Sequence, residues 1–121
     1  MQINTTVIRS GFDGKKCFVH ARFCETPSYL IATAQYLTDI TACDLFDGIY
    51  SSKSYDGGKT WGEEIVISSD SPVADLGYPS SVELSDGSIL TVYYQRYGND
   101  AFTSILGTRW RLDESKLTDG K

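Results

Sequence analysis

The stretch that most restricts what this chain can become is Ser54-Tyr-Asp56-Gly-Gly58-Lys-Thr60-Trp61. An aspartate at a tight turn accepts hydrogen bonds from backbone N–H groups a few residues on. The pair Gly57-Gly58 supplies the positive φ angles that such a turn needs and that side-chain-bearing residues avoid. Trp61 then predicts a large apolar plug where the chain re-enters the fold. A turn of this kind joins two strands, so the residues on either side are expected to be β structure.

The composition agrees. Among 121 residues are 8 Tyr, 5 Phe, 11 Gly and only 1 Met, a mixture that with its many Ser and Thr favours strands and tight turns over helices. A chain of this length makes one domain and buries roughly two-thirds of its unfolded surface if it closes on itself. The net charge of -5 leaves no basic stripe, which argues against nucleic acid or an anionic membrane as partner. No apolar run reaches the length of a membrane span, and Met1–Val7 lacks the basic and apolar regions of a signal peptide. Cys17, Cys24 and Cys43 form an odd set without C-x-x-C spacing, so neither a disulfide framework nor a metal site is expected. Seven residues apart on one strand, Cys17 and Cys24 should point to opposite faces. No cofactor is implied.

In chain order, residues 3–9 are β-branched enough for a short strand. Strands are expected over 17–23 and 29–37, then a loop bearing Asp39, Asp44 and Asp47, then strands over 48–54 and 64–68 on either side of the turn. That is a four-stranded antiparallel meander over 17–68. A linker leads to strands over 78–84, 89–97 and 102–112, with a hairpin at Ser85-Asp86-Gly87-Ser88, and residues 113–121 form a polar tail. The first unit therefore has four strands. The second, over 77–112, has three, and the segment 3–9 is left over to complete its outer edge. Laid against itself at an offset of about 60, the chain sets Ser88-Ile-Leu over Ser28-Tyr-Leu and Gln95 over Gln35, a period typical of propeller blades or solenoid units.

Ser54, Asp56, Gly58, Thr60 and Trp61 match the Asp box, S-x-D-x-G-x-T-W, of the sialidase superfamily. Cys17–Trp61 resembles the opening blade, and Leu76–Leu112 the closing blade, of its BNR-repeat proteins. The resemblance implies an all-β fold made of two four-stranded antiparallel blades of a six-bladed β-propeller. It also puts the Asp box on the side away from the active site, as structure and not chemistry. Full members are several times longer, so the middle blades are missing from this chain. Since two blades cannot close a ring, a homotrimer is expected, with residues 3–9 of each chain passed to the next.

Sialidases use a Tyr nucleophile, an acidic partner for it, an Asp acid/base and three arginines on the sugar carboxylate. The Tyr departs from the usual two-carboxylate scheme of glycosidases. By resemblance, Asp44 takes the acid/base position and Tyr78, in Gly-Tyr-Pro-Ser-Ser, the nucleophile position. Tyr-Pro at an inner-strand start also recurs in such blades as a structural element. The family's Arg-Ile-Pro does not occur here, and Phe18 stands near its place. Arg22, four residues later, Arg96 and Arg109 are the candidate substrate-binding cations, and the sequence leaves open whether they and Arg111 face a channel or solvent. His20 has no Ser or Cys partner at motif spacing and is expected to be a hydrogen-bonded core residue. Three readings follow: a sialidase-like glycoside hydrolase or a remnant of one, a non-catalytic carbohydrate-binding propeller, or a structural fragment. The absent arginine motif favours the last two, while Asp44 and Tyr78 favour the first.

Overall fold

The computed structural model describes residues 1–8, 17–38 and 45–111, and these contain strands but no helix. The strands are β1 (Cys17–Glu25), β2 (Leu30–Leu37), β3 (Phe46–Ser54), β4 (Ile65–Ser68), β5 (Gly77–Glu83), β6 (Ile89–Arg96) and β7 (Thr103–Trp110). They form two antiparallel sheets, the first in the order β1-β2-β3-β4 and the second β5-β6-β7. All seven fall where β-branched and aromatic runs lie between turn residues. Asp39, Cys43 and Asp44 of the β2–β3 connection lie outside the described residues, as do 9–16 and the tail from 112.

The sheets pack face to face. Phe46, Ile49, Ile67, Leu76 and Tyr93 form one core cluster, Tyr29, Ile31 and Ile89 a second, and Trp110 packs against both. Full burial of side chains of this size contributes about 1.5–3 kcal/mol each. Between the clusters the contact is polar: Thr33 and Ser51 hydroxyls bond at 2.6 Å. Lys53, also buried, sets its ammonium 3.7 Å above the Tyr29 ring, an electrostatically favourable seat for a cation.

The Ser54–Trp61 turn is built as its residues require. Asp56 Oδ1 accepts from Ser54 Oγ (2.9 Å) and from Thr60 N–H (2.9 Å), while Oδ2 accepts from Thr60 Oγ1 (2.6 Å). Ser54 Oγ in turn accepts from Gly58 N–H at 2.9 Å, and Gly57 and Gly58 hold φ of 73° and 89°. Trp61 is only half-buried. Its Nε1–H closes the turn onto Gly58 O at 3.1 Å and its ring meets the edge of Phe23, so it clamps the turn instead of plugging the core.

Donation from the Thr60 hydroxyl and then from its N–H lowers the Asp56 pKa from 3.8 to about 2. A carboxyl held below its unfolded value stabilises the fold fully above that value and loses its contribution as pH falls through the folded one. Asp56→Asn is therefore expected to melt below the parent chain above pH 4, with the gap narrowing toward pH 2. Melting curves across that range check it, and a pH-independent gap would contradict it.

Four expectations need correction. Residues 3–8 form no strand. A strand needs an edge to pair with, and within one chain Thr6–Ile8 instead line a groove of about 290 Å³ on the outer face of the first sheet, with Phe18, Ala32 and Tyr50. Cys17 and Cys24, both free thiols, pair with Leu37 and Ile31 and so share a face, because a bulge between Val19 and Arg22 absorbs one residue. The repeat is also one residue out of the expected alignment in the second strands. Glu25 and Leu30 correspond to Glu83 and Ile89, and the bulge flanked by Val19 and Arg22 to that flanked by Gly77 and Ser80, which sets Gln35 over Tyr94 and not over Gln95. Finally, the Trp61 plug gives way to the clamp just described.

Candidate functional site

Two residues other than glycine have positive φ among the described residues, His20 (54°) and Tyr78 (49°). Each sits in a bulge, on the first strand of its own sheet. Left-handed backbone is unfavourable for residues bearing a Cβ, by about 1–3 kcal/mol each, and such residues cluster where a side chain must be aimed. Here the two bulges aim their rings at each other. His20 stacks on Tyr78 with centroids 5.2 Å apart, and Tyr78 on Tyr94 at 5.8 Å. The result is a three-ring ledge spanning both sheets, with Tyr78 54% exposed at its centre.

Gln35 holds the ledge in place. Fully buried on β2, it accepts at Oε1 from the Tyr78 N–H (3.0 Å) and contacts His20 Nδ1 (3.0 Å), while its Nε2 donates to Leu76 O (2.8 Å). With Oε1 accepting, the proton of a neutral His20 lies on Nδ1 and Nε2 is left as an acceptor. Gly77 makes this arrangement possible. At φ +143° a Cβ on it would stand 1.8 Å from Gln35 Nε2, so nothing larger than hydrogen fits. Tyr94 is fixed by its hydroxyl, which donates to Asp75 Oδ1 at 2.5 Å.

The candidate residues are distributed unevenly around this ledge. Tyr78 is its centre, although its hydroxyl donates to no carboxylate among the described residues. Arg22 lies two residues beyond His20, its Nη1 donating to Ala21 O at 3.0 Å. Arg96 lies two residues beyond Tyr94, with Nη2 on Ala101 O at 3.3 Å and Nε buried without a partner. Neither makes an ion pair among the described residues. Arg109 is elsewhere, paired on β6 with Leu90, four residues from Tyr94, or about 13 Å along a strand. It pairs with Asp86, whose pKa falls to about 2 mainly because the Ser88 hydroxyl and N–H donate to it. Asp44 lies outside the described residues.

The Ser54–Trp61 turn is at the far end of the first sheet. Leu30, paired with Ser54, is five residues from Gln35, roughly 17 Å. Sequence reasoning passed over His20 as core, and missed Gln35, Tyr94 and Asp75. The Gly77-Tyr78-Pro79 string was the available signal, since a glycine before an aromatic at a strand start suggests a bulge. Among the described residues no three His, Cys, Asp or Glu side chains converge as metal ligands. Comparison with family models, curated proteins and solved structures finds no match for this chain.

Proposed function

We propose that the chain binds terminal sugars of glycans on the His20–Tyr78–Tyr94 ledge, as two blades of a sialidase-like β-propeller, without hydrolysing them. The observation that carries this reading is the ledge itself: His20 and Tyr78, both held in left-handed backbone, stack so that the exposed Tyr78 ring stands between His20 and Tyr94. An aromatic ring offers a flat apolar surface to the C–H face of a pyranose. The neighbouring Tyr78 hydroxyl and His20 Nε2 supply the few directional polar contacts that sugar sites add to such a surface. Arg22 and Arg96, flanking the ledge, favour an anionic sugar such as a sialic acid. The propeller part of the reading is supported by the four-stranded meander, the second sheet of like register, and the distance of the Ser54–Trp61 turn from the ledge. The binding reading is preferred over hydrolysis because among the described residues the Tyr78 hydroxyl meets no carboxylate, and the sequence has no Arg-Ile-Pro.

Calorimetric titration with sialyllactose and lactose tests the proposal. Binding is expected for the parent chain and a loss of at least about tenfold for Tyr78→Ala, equivalent to 1.4 kcal/mol, with sialyllactose the tighter ligand. Unchanged affinity in Tyr78→Ala would remove the ledge from the function. Release of fluorophore from a sialoside by the parent chain, abolished in both Asp44→Asn and Tyr78→Phe, would replace binding by hydrolysis.

A further inference from the structure

The register of the strands shows how the two sheets use their faces. The corrected repeat sets Leu30, Gln35 and Ile49 over Ile89, Tyr94 and Ile105. The inner face of the first sheet, carrying Ile31, Thr33, Gln35 and Ile49, thus corresponds to the outer face of the second, carrying Leu90, Val92, Tyr94 and Ile105. In the same way the inner face of the second sheet, with Ile89, Thr91 and Tyr93, corresponds to the outer face of the first, with Leu30, Ala32 and Ala34. The single contact inside the chain therefore joins a front face to a back face. One unused front and one unused back remain.

Both unused faces carry apolar side chains, the second sheet's with Arg96 and Arg109 toward its ends. On the second sheet Val82, Val92 and Ile105 are 52%, 38% and 79% exposed. On the first, the Phe18 and Tyr36 rings lie tilted with centroids 4.3 Å apart and Tyr36 meets the edge of Tyr50 at 5.7 Å, alongside the small residues Ala32 and Ala34. Exposed apolar side chains gathered on one sheet face mark an interaction site. Among the described residues, 6–8 lie over the first sheet's outer face, and Val7 is itself 74% exposed.

We infer that the outer face of the second sheet docks on the outer face of the first sheet of another copy of this chain, repeating between chains the contact already made within one. The occupant is a second copy because one chain carries both halves of the contact, in the register the internal interface uses. Residues 1–8 move off the first sheet when the copy arrives. The contact is heterologous, so each chain has one face of each kind to fill and the assembly grows until it closes. Closure at three chains would supply the six sheets expected from the sequence. The edge of β7 over Ile105–Gly107, which no strand covers among the described residues and which is equivalent to the edge of β3 that β4 covers, then lies beside the displaced residues 1–8 of a neighbour. Tyr94 lies on this face at the place of the buried Gln35, so the contact covers the Tyr94 end of the ledge, and the assembly itself is tested without a ligand.

Sedimentation of the parent chain at about 100 μM, a concentration that detects micromolar contacts, should give a closed oligomer. Ile105→Lys spoils only the second sheet's face and Ala34→Lys only the first sheet's. Each should sediment as a monomer with the circular dichroism of the parent. Mixed in equal amounts they should form a heterodimer, because each retains the face the other has lost. A monomeric parent chain overturns the inference, as does parent-like assembly of either folded variant. Failure of the two variants to pair overturns it also. If Ala34→Lys misfolds, Ala32→Lys on the same face takes its place.

Discussion

Gly77→Ala is expected to lower the melting temperature by at least about 10 °C and to remove the ledge as a binding surface. The added Cβ would meet the Gln35 carboxamide at 1.8–2.6 Å, and at φ +143° the backbone is one that alanine does not adopt without strain. Strain of that kind amounts to about 1–3 kcal/mol. Displacing Gln35 adds to it, because the Leu76 carbonyl and the Tyr78 N–H lose their partner in the buried seam between the sheets, at about 1–3 kcal/mol for each orphaned group. For a small domain each kcal/mol moves the midpoint by roughly 4–8 °C. Gly87→Ala serves as control: its φ is +81° but nothing lies within 4 Å of the added carbon, so it registers backbone strain alone. If Gly77→Ala melts no lower than Gly87→Ala, the close approach of Gln35 is not what demands glycine there.

The strands were legible because their physical cause is local. Alternating β-branched and aromatic residues between Gly, Pro and Asp punctuation specify an extended segment wherever they occur, and the Ser54–Trp61 turn closes entirely within its own eight residues. The ledge was not legible because its parts communicate across the fold. Gln35 finds Tyr78 43 residues away, and no spacing rule connects them. The bulges hid the rest. A strand read with strict alternation assigns Cys17 and Cys24 to opposite faces, and a repeat read on sequence identities sets Gln95 over Gln35. One extra residue at His20–Ala21 reverses the first conclusion. Aligning the two bulges moves the second by one residue, and a shift of one exchanges every inside residue for an outside one. The N-terminal segment was misjudged for another reason. Its β-branched composition is real, but a strand is a property of two partners, and this chain offers residues 3–8 an apolar surface before it offers them an edge.

The Gln35 seat gives a second large effect, and a way to separate steric from hydrogen-bonded causes. Gln35→Ala removes a buried side chain that serves Leu76 O, Tyr78 N–H and His20 Nδ1 together. It leaves the first two without partners and is expected to cost about 2–5 kcal/mol, a large share of the 5–15 kcal/mol that holds a domain of this size together. In that background Gly77→Ala should become mild, because the new Cβ enters the space the carboxamide has vacated. Only the backbone strain then remains. The double variant is therefore expected to be more stable than the sum of the single changes predicts, by about 1–3 kcal/mol, within the range measured for residues in direct contact. Denaturant melts of the four proteins supply the cycle. Additive effects would mean that Gly77 and Gln35 act separately, and the ledge would then owe its geometry to the stacking of His20 on Tyr78 and not to the amide beneath it.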